Sequence, residues 1–144
     1  MEVNDCVHQI GASFLLVVLT VWLQCGGIAT LINSVRGAVA AAVHKLRRLR
    51  ATMLFTRITT ALIAMNGLQV LLWACCYRWR CFRSSGIALY FSESSHATVG
   101  CADIVLPSKW RMLGLLESVM GVLMCGLSVS LMFALAARLI GHEA

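Results

Sequence analysis

Cysteine and histidine are the residue types in this chain that most often carry redox or metal chemistry. A membrane thiol oxidoreductase would need a reactive cysteine pair, and a metal centre would need closely spaced ligands. The seven cysteines include no Cys-x-x-Cys pair, and the four histidines are far apart in sequence. Cysteine in an apolar stretch usually packs as a small hydrophobic residue. Packing is therefore favoured, and the oxidoreductase alternative depends on four cysteines: Cys75, Cys76, Cys81 and Cys101.

The stretch 84–107 has an unusual composition for a connection between two long apolar segments. Ser84 and Ser85 are suitable helix N-caps, and an apolar run follows at residues 87–91. This run is too apolar for a water-exposed loop and too short to cross a bilayer, which takes about 20 residues. Irregular backbone at membrane depth is tolerated only where protein or a water-filled pore surrounds it. The stretch is therefore predicted to form a re-entrant helix followed by a loop.

The loop carries a motif that resembles the potassium-channel filter signature, Thr-Val-Gly-Tyr-Gly-Asp. The residues that carry the resemblance are Thr98, Val99, Gly100, Cys101, Ala102 and Asp103. The likeness extends from residue 86 to residue 138, with an apolar helix segment before the motif and a final apolar span after it. This frame is similar to small bacterial ion channels that have a pore loop between two helices and an additional N-terminal span. A chance match in a short hairpin is the alternative, and the apolar composition of the loop disfavours it.

The resemblance implies a cation channel, most simply for potassium, and not an enzyme. In the family, four chains surround the pore, and rings of backbone carbonyl oxygens replace the water around the ion. By the resemblance, the carbonyls of residues 98–101 would bind K⁺, Ala102 would complete the filter and Asp103 would lie at the outer mouth. Tyr90 and Glu93 would belong to the pore helix at residues 84–97. No other cofactor is expected.

Two departures from the signature, and one in the pore helix before it, bear on selectivity. Ala102 stands where the family has its second glycine, and a left-handed alanine costs about 1–2 kcal/mol. Cys101 replaces the tyrosine that packs behind the filter, and Glu93 occupies a position that is usually apolar in these small channels. A non-conducting, channel-like subunit is therefore the alternative function.

Small residues in the last apolar segment have two possible roles, helix packing and gating. Gly121 and Gly126 begin small-xxx-small patterns with Cys125 and Ser130, which are typical of close helix packing in membranes. In the family, a glycine of the inner helix serves as a gating hinge, and by position Gly121 is the first candidate and Gly126 the second. Arg111 is a candidate ion-pair partner for Glu117.

Long uncharged segments must position this loop. The composition is 60% hydrophobic and 12% charged, and three uncharged runs cover residues 6–35, 58–77 and 118–137. Each run reaches the length needed to cross a bilayer as a helix. The predicted fold is therefore an all-α membrane protein with three transmembrane helices and one re-entrant helix, assembled as a homotetramer. The predicted units are a first span within residues 1–35, a linker at 36–50 and a pore domain at 51–144, with its outer helix at 52–78, its filter at 98–103 and its inner helix at 112–139.

The linker at residues 36–50 reads as a basic amphipathic helix at an anionic membrane surface. Its lipid-binding candidates are Lys45, Arg47, Arg48 and Arg50. A simple topological anchor is the alternative and is favoured, because basic residues mark the cytoplasmic side. The termini are then predicted outside (N) and in the cytoplasm (C) of a bacterial inner membrane. The net charge of +6 indicates no nucleic-acid partner, since the basic residues flank the spans.

Aromatic residues near the span ends predict where the outer membrane interface lies. Tryptophan and tyrosine concentrate at the level of the lipid headgroups. Four such residues are assigned to this belt: Trp73, Tyr77, Trp79 and Trp110. Trp22 falls outside the belt and is predicted to be packed inside the protein.

Overall fold

The computed structural model describes residues 3–40, 47–100 and 103–141. They form helices α1 (Val3–Ala40), α2 (Arg47–Arg80), α3 (Ser85–His96) and α4 (Arg111–Gly141). A 3-10 turn at Ser108–Trp110 leads into α4. The described residues contain no strand.

Three of these helices are long and apolar enough to cross a membrane. The candidate spans are Gly11–Ser34, Thr52–Arg80 and Ser108–Ala137, with lengths of 24, 29 and 30 residues. Helices satisfy all their backbone hydrogen bonds internally, which is why they can enter lipid. The prediction of an all-α integral membrane protein with three spans is confirmed.

The predicted linker at 36–50 is only partly described. Residues 36–40 continue α1, and residues 47–50 form the first turn of α2. Residues 41–46, including Lys45, lie outside the described part. The pore-domain helices were predicted to end at residues 78, 97 and 139, and α2, α3 and α4 end within two residues of these positions. Helix α2 begins five residues before the predicted start at residue 52.

Helix α1 is joined to the other two spans through polar side chains. The indole N–H of Trp73 in α2 donates to Thr20 Oγ1 at 3.0 Å. One turn further along α1, Gln24 accepts a hydrogen bond of 2.7 Å from Gln69 of α2 and donates to Ser128 Oγ of α4 at 3.1 Å. Both Thr20 and Gln24 are fully buried. Hydrogen bonds between membrane helices contribute about 0.6 kcal/mol each on average, so this contact adds specificity to apolar packing.

Helix α3 enters the bundle and the chain then returns to the side from which it came. Near its end, α3 reaches the depth of Val70 in α2 and of Gly121 in α4, about ten residues inside both spans. The chain then passes through Leu106, which is buried, to the 3-10 turn and the start of α4. Residues 85–100 and 103–110 therefore belong to a re-entrant helix and loop between the second and third spans.

The aromatic residues differ from the predicted belt. Trp73 and Tyr77 are fully buried in the core shared by α1, α2, α3 and α4, and Trp22 is 78% exposed on the surface of the single chain. The belt assignment is therefore wrong for Trp73 and Tyr77, and Trp22 is not packed within the single chain. The cause is helix rotation: both rings lie on one face of α2, where Trp73 contacts Thr20 of α1 and Tyr77 contacts Phe91 of α3. A distance from the span end cannot reveal that rotation.

Candidate pore loop

Helix α3 begins at the sequence signal that predicted it. Ser84 has extended backbone angles (φ −102°, ψ 131°), and its carbonyl accepts the N–H of Ala88 at 3.2 Å. Its hydroxyl makes no capping bond. The connection from α2 is instead held by Arg78, which donates to Ser85 Oγ and to the carbonyl of Phe82, both at 3.3 Å.

The loop that follows α3 is wound onto the end of the helix. The N–H of Ala97 donates to the carbonyl of Glu93 at 2.9 Å, and that of Thr98 donates to Ser95 at 3.0 Å. The N–H groups of the next two residues, Val99 and Gly100, both donate to the carbonyl of Ser94, at 2.9 and 3.1 Å. The last carbonyls of a helix have no partner within the helix, so the loop satisfies them.

Left-handed backbone occurs at two residues in the described part of this loop, with one residue between them. Thr98 has φ 58° and Gly100 has φ 63°, and Val99 between them has no positive φ. Among the described residues, Thr98 is the only non-glycine residue with a positive φ. A branched side chain in this region costs about 1–2 kcal/mol, and such strain is concentrated at functional sites. A Cβ added to Gly100 would meet nothing within 4 Å, so glycine serves conformation there and not space.

The rest of the predicted motif is only partly described. Cys101 and Ala102 lie outside the described residues, so their predicted roles remain predictions. Asp103 is exposed in a turn at the start of the return segment. Leu106 closes that segment by packing against the backbone of α4, where a Cβ added to Gly114 would lie 3.3 Å from its side chain.

The two faces of α3 have different surroundings. Its polar residues Ser92, Ser94, Ser95 and His96 are buried within the chain, together with Ala88. Tyr90 and Glu93, which the sequence assigned to the pore helix, are exposed. Glu93 lines an open groove with residues of α2, among them Gly67 and Leu68. The structure therefore brings Glu93 beside α2 and leaves the Tyr90 ring partly on the surface of the single chain.

His96 is a buried polar side chain immediately before the loop. It is 5% exposed, and neither ring nitrogen has a hydrogen-bond partner among the described residues. Burial lowers the pKa of His96 below its ordinary value of 6.5, because the charged ring would lose its hydration. The ring is therefore held in its neutral form at the end of α3.

The two glycines predicted as hinges have different environments. A Cβ added to Gly121 would overlap the carbonyl oxygen of His96 and lie 2.9 Å from the carbonyl carbon. Gly126 has no atom within 4 Å of such a Cβ. The backbones of α3 and α4 are thus in direct contact at Gly121, which gives this glycine a packing role. Neither observation bears on bending, so both residues remain hinge candidates.

A buried carboxyl group at the same helix junction escaped the sequence prediction. Glu117 is fully buried; the Tyr77 hydroxyl donates to its Oε2 at 2.8 Å, and its Oε1 is hydrogen-bonded to Ser92 Oγ at a separation of 2.5 Å. The proposed pairing of Glu117 with Arg111 is not found, since Arg111 Nε points to the carbonyl of Leu106 at 3.5 Å. The available signal was an acidic residue inside an apolar span, which is itself typical of functional positions.

The cysteines provide little support for an oxidoreductase. In the described part of the chain, Cys75, Cys76 and Cys81 are free thiols, and no group of three potential metal ligands comes together. Burial raises the pKa of the Cys81 thiol to about 11. Since the thiolate is the reactive form, this environment disfavours redox chemistry at Cys81.

Comparison with known proteins identifies the family. The profile of the family described as "Ion channel" matches residues 51–138, which is more than half of the 144-residue chain. No curated protein matches the chain, and no solved structure matches it either. The matched region begins in α2 and ends in α4, so it contains the re-entrant helix and its loop. The chain is an integral membrane protein that belongs to the ion-channel family of potassium-channel-like pore domains.

Proposed function

We propose that four copies of this chain form a channel that conducts potassium through a filter of backbone carbonyls. The observation that carries the proposal is the alternating backbone of Thr98, Val99 and Gly100 at the inner end of a re-entrant helix. In a filter, such alternation would turn successive carbonyls toward the pore axis. The family signature has a glycine at one of the two left-handed positions, Gly100.

Ion coordination in this proposal uses the backbone of residues 98–101. Each K⁺ would exchange its water for carbonyl oxygens contributed by four chains. Thr98 would add its hydroxyl at the inner end, and Ala102 would complete the filter. The C-terminal end of α3 would direct its partial negative charge toward the ion cavity. Four copies of Asp103, exposed at the start of the return segment, would raise the cation concentration at the outer mouth.

Assembly follows from this mechanism, because one loop cannot surround a pore. Val99 is 70% exposed and Tyr90 44% exposed in the single chain, as expected for residues that face the pore axis or a neighbouring copy. Helix α4 carries further large apolar residues on its surface: Leu115, Val119, Val122 and Leu123. A neighbouring copy or lipid would cover them in the membrane.

Orientation and lipid binding complete the proposal. Helix α1 contacts the 3-10 turn, and it runs antiparallel to α2, with Thr20 bonded to Trp73 and Gln24 to Gln69. The amino half of α1 is therefore the half nearer the end of the bundle where the re-entrant segment enters. With the filter mouth outside, the N-terminus would be outside and the C-terminus in the cytoplasm of a bacterial inner membrane. Arg47, Arg48 and Arg50 in the first turn of α2, with Lys45, would then meet anionic lipid at the inner surface.

The reversal potential of the purified protein in a planar bilayer tests the proposal, with potassium on one side and sodium on the other. A shift toward the potassium equilibrium potential supports a selective filter. Current that reverses near zero means a cation pore without selectivity, which the double substitution Cys101→Tyr with Ala102→Gly should make selective. No current from either protein would favour the second candidate, a non-conducting channel-like subunit, for which those two departures from the signature are the specific observation.

A further inference from the structure

The buried carboxyl group of Glu117 lies where three helices meet. Its partners are Tyr77 of α2, at 2.8 Å, and Ser92 of α3, at 2.5 Å. All three residues are fully buried. One side chain of α4 thus contacts the outer helix and the re-entrant helix at once.

Counting hydrogens around Ser92 indicates which form the carboxyl group takes. Ser92 Oγ lies 2.9 Å from the carbonyl oxygen of Val70 and 2.5 Å from Glu117 Oε1, and a serine hydroxyl has one hydrogen. The Val70 carbonyl can only accept, so the hydroxyl hydrogen of Ser92 belongs to that contact. The hydrogen in the shorter contact then comes from Glu117 itself. Tyr77 donates to the remaining carboxyl oxygen, and every hydrogen is used once.

The charged residues around Glu117 also favour a protonated carboxyl group. An ionised carboxylate inside a membrane protein needs a cation or several donors, and without them its burial is very unfavourable. Two basic residues near the ends of α2 and α4 are directed elsewhere. Arg80 lies over the ring of Trp110, 5.6 Å from its centroid, and Arg111 points to the carbonyl of Leu106.

The same two helices touch again one turn further on. Glu117 meets Ser92, and Gly121, four residues later in α4, meets His96, four residues later in α3. The two contacts therefore hold α3 and α4 in one register along two successive turns. The strained residue Thr98 follows only two residues after the second contact.

We propose that Glu117 is a neutral carboxylic acid that positions the re-entrant helix, joining Ser92 of α3 to Tyr77 of α2. It is a positioning residue, since it acts on the loop through α3. Its effect on conduction rests on the proposed channel function, whereas its protonation does not.

Infrared spectroscopy of the purified protein at neutral pH tests the protonation directly. The carbonyl stretch of a protonated carboxylic acid should be present in the native protein and absent from Glu117→Gln. In Tyr77→Phe the same band should move to higher frequency, because the carbonyl oxygen loses its donor. If Glu117→Gln removes no such band, the proposal is overturned, whether or not the protein conducts. If the bands behave as expected and no current is found, the protonation stands and the channel function fails.

Reversal potentials test the positioning role. Glu117→Gln can donate to Ser92 and accept from Tyr77, so its permeability ratio for potassium over sodium should equal that of the native protein. Glu117→Leu removes both bonds, and we expect its ratio to fall about tenfold, by analogy with the ~10- to 100-fold losses that follow replacement of residues hydrogen-bonded to metal ligands. Ser118→Ala is the matched control, because among the described residues the Ser118 hydroxyl bonds to Gly114 of its own helix, at 3.1 Å.

Two results would overturn the positioning role. One is a Glu117→Leu protein that assembles and keeps the native ratio. The other is a Glu117→Gln protein that loses selectivity, since the neutral amide reproduces both hydrogen bonds. If Glu117→Leu does not fold, Tyr77→Phe replaces it, with a smaller fall in the ratio expected and an unchanged ratio counting against the role.

Discussion

Replacing Gly121 by alanine adds one methyl group where α4 passes the end of α3. The added Cβ would overlap the carbonyl oxygen of His96 and lie 2.9 and 3.0 Å from its carbonyl carbon and Cα. These are backbone atoms, which cannot rotate away as a flexible side chain can. The helices must therefore separate, or α3 must shift along α4.

The loss of stability in Gly121→Ala is best measured against Gly126→Ala in the same helix. Overpacking a well-packed interior lowers the free energy of unfolding by about 1–3 kcal/mol. Because the obstacle is backbone, we expect Gly121→Ala to lose about 2–3 kcal/mol. Both substitutions also raise stability by about 0.5–1 kcal/mol, because glycine inside a helix is destabilising relative to alanine. This term is the same for the two variants and cancels in their difference. Gly126 has open space around it, so its variant should keep only the gain.

Thermal unfolding of both purified variants in the same detergent measures this difference. For a chain of this size, 1 kcal/mol corresponds to about 2–4 °C in Tm. Gly121→Ala should therefore unfold roughly 5–10 °C below Gly126→Ala, with Gly126→Ala at or slightly above the native protein. Equal midpoints for the two variants would refute the close contact between α3 and α4 on which the reasoning depends.

Three further predictions concern α1, His96 and Cys101. Gln24→Leu removes the bonds to Gln69 and Ser128, and we expect a loss of about 1–2 kcal/mol in thermal unfolding, against no loss for the exposed Thr30→Ala in the same helix. Burial lowers the pKa of His96 from 6.5, so the unfolded state binds more protons below that pH. The contribution of neutral His96 to stability is complete above pH 6.5 and declines as the pH falls toward the folded pKa. The dependence of Tm on pH should therefore be weaker in His96→Phe, and an unchanged dependence would contradict this. If Cys101 lies in the outer filter, external thiol reagents should block the current of the native protein and not that of Cys101→Ser, and block of both would remove Cys101 from the ion path.

The sequence predicted the membrane spans and the re-entrant helix well, because both depend on local composition. An uncharged run of 20 or more residues has few stable environments other than a bilayer. The short apolar run at 87–91 likewise had to be buried and could not cross. The family resemblance rested on the same stretch, which the ion-channel profile also covers.

Contacts between helices were predicted poorly. The sequence paired Glu117 with Arg111, six residues away, whereas its partners are Ser92 and Tyr77, 25 and 40 residues away. Trp73 and Tyr77 were expected at the lipid interface and are buried. Both errors have one cause, since the rotation of a helix that is apolar on all sides leaves no periodic signal in its sequence.

The sequence alone determined that this chain crosses the membrane three times, that a re-entrant helix lies between the second and third spans, and that a filter-like motif follows this helix. Hydropathy and length decide these features, because burying apolar surface is favourable whatever its partner. Only the tertiary structure decided that α3 and α4 touch at Gly121, that Glu117 joins three helices, and that Thr98 is left-handed. The first two features require groups far apart in sequence to meet at specific distances, and the left-handed backbone of Thr98 belongs to the turn by which the chain satisfies the last carbonyls of α3.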